Sequence, residues 1–134
     1  MTAPAARHLG FLDQTGAALA PMAAALAAAM LPPWWLVAAW ALDPAPQVDT
    51  LAGQALAEWG LEPRQAGRYA PANLPGPGVL VALGPNWGHP LPDLPAGVQW
   101  RCWPLPPRGT GLSAVRSQRD RIRHLLEEWA VNFA

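Results

Sequence analysis

Apolar and polar positions along this chain divide it into seven predicted elements. His8 to Leu12 is a short apolar run closed by Asp13 and Gly16, the pattern of a buried first strand. Ala17 to Met30 consists of helix formers, and Pro21 falls early enough to lie in a first turn, where a missing N–H does little harm. Trp34 to Leu42 (WWLVAAWAL) is apolar, too short to span a membrane and flanked by prolines, which predicts a strand. Thr50 to Trp59 reads as a helix capped by Asp49 and stopped by Gly60, with Leu51, Ala55, Leu56 and Trp59 on one face. Gly78 to Leu83 and Val98 to Trp103 are two further strands of the buried type. Leu112 to Phe133 carries Val115, Ile122, Leu125, Leu126 and Trp129 at helical spacing. Its arginines come early and Glu127 and Glu128 late, an order that opposes the helix dipole, so packing must hold this helix.

Strand–helix–strand–helix–strand–strand–helix implies an α/β fold, an open parallel sheet of four strands with helices on both faces. In such folds ligands sit at the carboxyl ends of strands, which is where DQTGAAL at 13–19 lies. The proline-rich pieces 71–77 and 85–95 read as loops, and 134 residues suffice for one domain spanning 1–134.

Composition narrows the function. Hydrophobic residues make up 51% and charged residues 13%, which favours a packed core over disorder. Nine arginines balance nine acids and there is no lysine, so charge offers no reason to expect a nucleic-acid or anionic-membrane partner. The lone Cys102 cannot form an internal disulfide, and no Cys/His cluster has zinc spacing; a cytoplasmic address and no metal or cofactor are the expectation. Ala17 to Leu42 is free of charge, but Pro21, Pro32 and Pro33 and the abundance of alanine argue against membrane insertion.

The chemistry turns on Asp13. DQTG looks like the DKTG stretch of P-type pumps and, more loosely, the first motif of haloacid dehalogenase-like phosphatases. Those enzymes also need a lysine and further acids for Mg²⁺, whereas here Asp93 and Asp120 stand isolated. A second resemblance covers nearly the whole chain. APMAAALA at 20–27 resembles the helix start that follows the CxxxxxR(S/T) loop of the low-molecular-weight protein tyrosine phosphatases and the thioredoxin-coupled arsenate reductases. VAAW at 37–40 occupies the place of the second strand, and QALAEWGLEP at 54–63 is similar to the following helix. The stretch 79–107 resembles the reductases' strand, cysteine-bearing loop and HWxxxDP segment. SQRDRIRHLLEEW at 117–129 is similar to their final helix.

This resemblance implies a three-layer α-β-α domain with strand order 2-1-3-4. It also implies a degenerate phosphate loop formed by Asp13, Gln14, Thr15, Gly16, Ala17, Ala18 and Leu19. Pro21 and Met22 set the register: Asp13 stands in the place of the nucleophilic cysteine and Leu19 in that of the phosphate-binding arginine. Ala20 replaces the assisting Ser/Thr, and Pro107 the general-acid aspartate. Leu83 and His89 fall where the reductases carry their second and third cysteines. A carboxylate without the arginine repels a dianion, leucine donates nothing to oxyanion oxygens, and proline cannot protonate a leaving group. Losing such donors costs roughly 4 kcal/mol of transition-state stabilisation or more. The implied protein is catalytically inactive, with no catalytic residue, and acts as a protein-binding or regulatory module.

Two readings of the remaining residues stay open. In the first, Trp34, Trp35, Trp87 and Trp103, with His89, ring the mouth of the old site and hold an unidentified protein partner, a second copy of the chain included. In the second, Asp13 and His89 form an acid/base pair in an apolar pocket of a small-molecule sensor or altered enzyme. Against both stand blander roles. Asp13 can be a loop-closing acceptor that locks an empty cradle shut, and His89 a loop histidine. Cys102 can be a small buried hydrophobe, and Trp59, Trp100 and Trp129 core residues.

Overall fold

The computed structural model describes residues 7–74, 77–85, 87, 90–105 and 109–133, the side chains of 132 and 133 excepted. The strands are β1 (Arg7–Asp13), β2 (Trp35–Ala41), β3 (Gly67–Arg68), β4 (Gly78–Leu83) and β5 (Val98–Trp103). The helices are α1 (Leu19–Met30), α2 (Thr50–Ala57) and α3 (Gly111–Phe133). All strand pairs are parallel and the sheet order is β3-β2-β1-β4-β5.

The predicted order of four strands is present, with a fifth added outside β2. That strand is two residues long and both are exposed, so it carries none of the apolar periodicity that marks a strand in sequence. It forms because Trp40 and Ala41 pair with Gly67 and Arg68 at the end of β2. Helix α1 begins at Leu19 rather than Ala17, because residues 14–18 are used in the loop that joins it to β1.

The architecture is a three-layer α/β build in which, among the described residues, α1, α2 and α3 lie on one face of the sheet and irregular chain covers the other, where the sequence led one to expect helices on both. Leu9 and Phe11 of β1, Ala39 and Ala41 of β2, and Val79, Val81 and Leu83 of β4 share one core with α1, α2 and α3. Helix α1 is buried almost all round, from Ala20 to Ala27, because it lies between the sheet and the other two helices. Its alanines serve that position: small side chains let backbones approach from several sides. The opposite face of the sheet is approached by chain with a single 3-10 turn at Pro71–Asn73, whose Asn73 borders a small cavity with His8 and Trp40. The Tyr69 hydroxyl donates to Asp93 at 3.1 Å and ties the two irregular segments together. Gly10 belongs to this face, where a Cβ would stand 3.0 Å from the Trp40 ring.

Helix α3 is held as its charge order requires, by packing. Val115, Ile122 and Leu126 are fully buried, and Trp129 meets Trp35 edge-on at 4.8 Å. A polar clasp adds to this. Arg119, buried between the helices, donates from Nη1 to the Ala55 carbonyl and to Glu58 Oε1, each at 2.7 Å. Its guanidinium also lies 3.8 Å from the centre of the Trp59 ring. Ala55 is in the last turn of α2, where carbonyls lack helical partners, so Arg119 acts as the C-terminal cap of that helix.

Arg116 binds both oxygens of Glu58 from the solvent side. The hydrogen bonds from Arg116 and then Arg119 hold the Glu58 carboxyl down to about 2, from an ordinary 4.5. Because the folded-state value is depressed, its contribution is present above pH 4.5 and is lost as pH falls through about 2. The thermal midpoint of the native chain is therefore expected to fall more steeply over that window than that of Glu58→Gln. Parallel curves would show that Glu58 carries none of the acid sensitivity.

Candidate functional site

The loop from Asp13 to Leu19 joins the carboxyl end of β1 to α1, at the edge of the sheet where β1 and β2 end together with Asp13 paired to Ala41. Its carbonyls face outward. Leu42, Asp43, Ala45 and Asp49 donate their N–H groups to the carbonyls of Asp13, Gln14, Thr15 and Ala17, at 2.7 to 3.2 Å. With the carbonyls so engaged, N–H groups are left to the inside of the turn, the arrangement that makes an anion-binding nest in a backbone. Gly16 is what lets the loop close: its φ is +64°, and a Cβ there would fall 2.5 Å from Ala66 Cβ.

The anion in this nest is the chain's own. Gly16 N–H donates to Asp13 Oδ1, and Ala20 N–H donates to Oδ2 at 2.9 Å. Helix α1 has no side-chain cap at Ala18, and Pro21 has no N–H to offer. Asp13 therefore caps α1 from seven residues upstream, with its charge at the positive end of the helix. Asp13 is 6% exposed. Burial pushes its carboxyl above the ordinary 3.8, and backbone N–H groups of Ala20, Gly16, Thr15 and Leu19 pull it part of the way back.

Over the loop opens a cavity of about 450 Å³. Its floor includes Asp13; its walls are Leu19, Leu42, Leu83 and Pro85, with the indole of Trp87 on one side. Trp87 is fixed in place: its Nε1–H donates to the Leu83 carbonyl at 2.8 Å, its ring stands edge-on to Trp100, and its carbonyl accepts from Cys102 Sγ at 3.2 Å. Gln14 and Thr15 are exposed at the mouth, where Thr15 Oγ1 accepts from Ala17 N–H at 3.3 Å.

The structure gathers Asp13, Gln14, Thr15, Ala17, Ala18, Leu19 and Trp87 at one place, and it keeps Trp34, Trp35 and Trp103 out of that group. Trp34 and Trp35 precede and begin β2, at the opposite end of the sheet, since Trp35 pairs with Arg7 at the start of β1. Trp35 is buried against Trp129, so neither residue rims the site. Trp103 lies at the correct end of β5 but points into the core, 5.9 Å from Phe11. Trp34 and Trp35 open their strand, and in an all-parallel sheet the amino ends lie away from the carboxyl ends where the loop sits; Trp103, at the correct end, faces inward. His89 and Pro107 lie outside the described residues.

Leu42 and Pro85 line the cavity although sequence reasoning passed them over. Their one signal was position: Leu42 is the last residue of one predicted strand, and Pro85 stands two residues beyond the end of another. Cys102 is half-buried on β5, with its thiol pushed up by burial, and is not part of the loop. Among the described residues no three metal-ligating side chains come together, and no helix is long and apolar enough to cross a membrane.

No protein-family model matches the chain, and no curated protein matches it by sequence. Solved structures do match in fold. An arsenate reductase in the phosphate-binding state superposes with a TM-score of 0.78 at 16% identity, over 96% of this chain and 99% of that one. The arsenate reductase of Archaeoglobus fulgidus gives 0.66 at 20% identity, over 89% and 98%. The YwlE arginine phosphatase of Geobacillus stearothermophilus gives 0.67 at 16% identity, over 93% and 91%. The fold of this chain is thus that of arsenate reductases and of a low-molecular-weight phosphatase-like enzyme.

Proposed function

We propose that the chain is a catalytically silent protein on the arsenate reductase and phosphatase scaffold, and that it acts by binding at the mouth of the 13–19 loop. The observation that carries this reading is the Asp13 carboxylate, held by the N–H groups of Gly16 and Ala20 where an oxyanion would otherwise be cradled. In the register implied by the resemblance, Asp13 replaces the nucleophilic cysteine, Leu19 the phosphate-binding arginine and Pro107 the general acid. A dianion approaching this floor meets a like charge and, at Leu19, an isobutyl group with no donors. The single cysteine of the chain lies on β5 with its thiol stabilised in the neutral form, which gives no thiolate to the loop.

The wide aromatic rim expected for a protein partner, or for a second copy of the chain, reduces to Trp87 once Trp34, Trp35 and Trp103 are placed elsewhere. A concave, apolar seat of this volume favours regulation by a small molecule over a flat protein contact. Purified chain supplied with arsenate and a thioredoxin reducing system, or with an aryl phosphate, is expected to show no turnover above background. Turnover that disappears in Asp13→Ala would overturn the proposal and restore Asp13 as a nucleophile.

A further inference from the structure

The cavity over the loop has features that select its occupant. Its only charged lining residue among the described residues is Asp13, and both oxygens of that carboxylate already accept N–H groups of the chain. The floor therefore needs no counter-ion from a ligand, while its negative charge disfavours a second one. Neither Arg68, which donates to the Leu42 carbonyl at 3.4 Å, nor the exposed Asp43 lines the cavity. The sign felt inside is that of Asp13.

Apart from Gln14 and Thr15, which are exposed at the mouth, the walls are aliphatic except for one ring. That ring is held rigidly, with its only hydrogen-bond donor spent on Leu83, so it offers a flat apolar face and no polar recognition. A volume of about 450 Å³ suits a small organic molecule; it is too confined for a helix or a folded loop of a partner.

We propose that this pocket receives a small, uncharged, largely apolar organic molecule, seated between Trp87 and the leucines and discriminated from its carboxylate-bearing analogues by Asp13. The inference rests on the reading of the chain as a binding protein and names the class of its ligand.

Indole serves as the neutral reporter and indole-3-carboxylate as its anionic counterpart, in titrations of the full chain followed by ligand-observed NMR. Indole is expected to bind saturably, and the carboxylate about tenfold more weakly or worse, a penalty of the size that one like charge imposes at close range in a partly desolvated pocket. Trp87→Ala is expected to weaken indole about tenfold by removing the aromatic wall. Ala17→Leu, which adds bulk at a residue lining the cavity from the loop side, is expected to weaken it similarly, with an unchanged far-ultraviolet spectrum confirming the fold of both variants.

Equal binding of the two compounds, absence of saturable indole binding, or indole binding unaffected by both variants would overturn the proposal. A chain that ignores indole and turns over neither arsenate nor aryl phosphate keeps the broader reading and loses only this inference. Turnover dependent on Asp13 would remove the broader reading itself.

Discussion

Asp13→Ala is expected to lower stability by about 2 kcal/mol and at the same time to create an anion site that the native loop does not offer. The loss follows from two donors, the N–H groups of Gly16 and Ala20, which in the native chain share one carboxylate and in the variant face only water from the cavity. The gain follows from the same geometry. The outward carbonyls of 13–17 remain tied to residues 42–49, so the nest persists after its anion is removed. Millimolar phosphate or sulfate should therefore raise the thermal midpoint of Asp13→Ala and leave that of the native chain unchanged. An anion response in the native chain, or none in the variant, would show that the carboxylate does not occupy the anion's place.

Asp13→Asn separates charge from shape. Its amide presents one acceptor and one donor to a pair of N–H groups, so it is expected to cost a similar amount. The native carboxyl has its folded-state value raised above 3.8 by burial, so its contribution is full below 3.8 and declines as pH rises through the folded-state value. The stability gap between native chain and Asn variant should accordingly narrow as pH climbs above 3.8. A gap that widens would mean that the nest lowers the carboxyl value instead.

The second large effect is expected away from the site. Arg119→Met keeps the apolar stem of the side chain but removes the donor that caps Ala55 and pairs with Glu58, together with the cation over Trp59. Breaking a buried, hydrogen-bonded arginine in this way is expected to cost about 3 kcal/mol, which is roughly 10 °C in thermal midpoint for a domain of this size. Arg121 is exposed on the same helix, and Arg121→Met should change stability by less than about 0.5 kcal/mol. Equal effects from the two substitutions in denaturant unfolding would show that the clasp contributes nothing beyond the helix itself.

Much of the framework was legible in the sequence. Gly78–Leu83 and Val98–Trp103 coincide with the predicted strands, and α2 is capped by Asp49, whose Oδ1 accepts from Leu51 N–H at 2.8 Å. The possibility that Asp13 closes its own loop could also be stated beforehand, since a carboxylate beside Gly and small residues at a strand end has backbone donors within reach. The clasp was only half legible. Arg119 does pair with its neighbour Asp120, at 3.0 Å, as adjacent opposite charges in the sequence suggest, but its partners Ala55 and Glu58 are 64 and 61 residues away, and no local pattern joins them. Among the tryptophans, the amino-end position of Trp34 and Trp35 was legible once the sheet was taken as parallel, whereas the inward turn of Trp103 was not, because it depends on packing against Phe11.

By itself the sequence determined the order of the four longer strands and the three α-helices and placed a carboxylate at the end of the first strand. It also excluded a lysine or a loop cysteine from the chemistry. Hydrophobic periodicity and residue identity act locally, so these features survive without knowledge of the fold. The tertiary structure alone decided where the carboxylate points, which tryptophan faces the cavity, and how the C-terminal end of α2 is capped. Each of these depends on chain segments far apart in sequence: residues 42–49 turn the loop carbonyls outward, a parallel partner sets which strand ends lie together, and α3 brings Arg119 to α2.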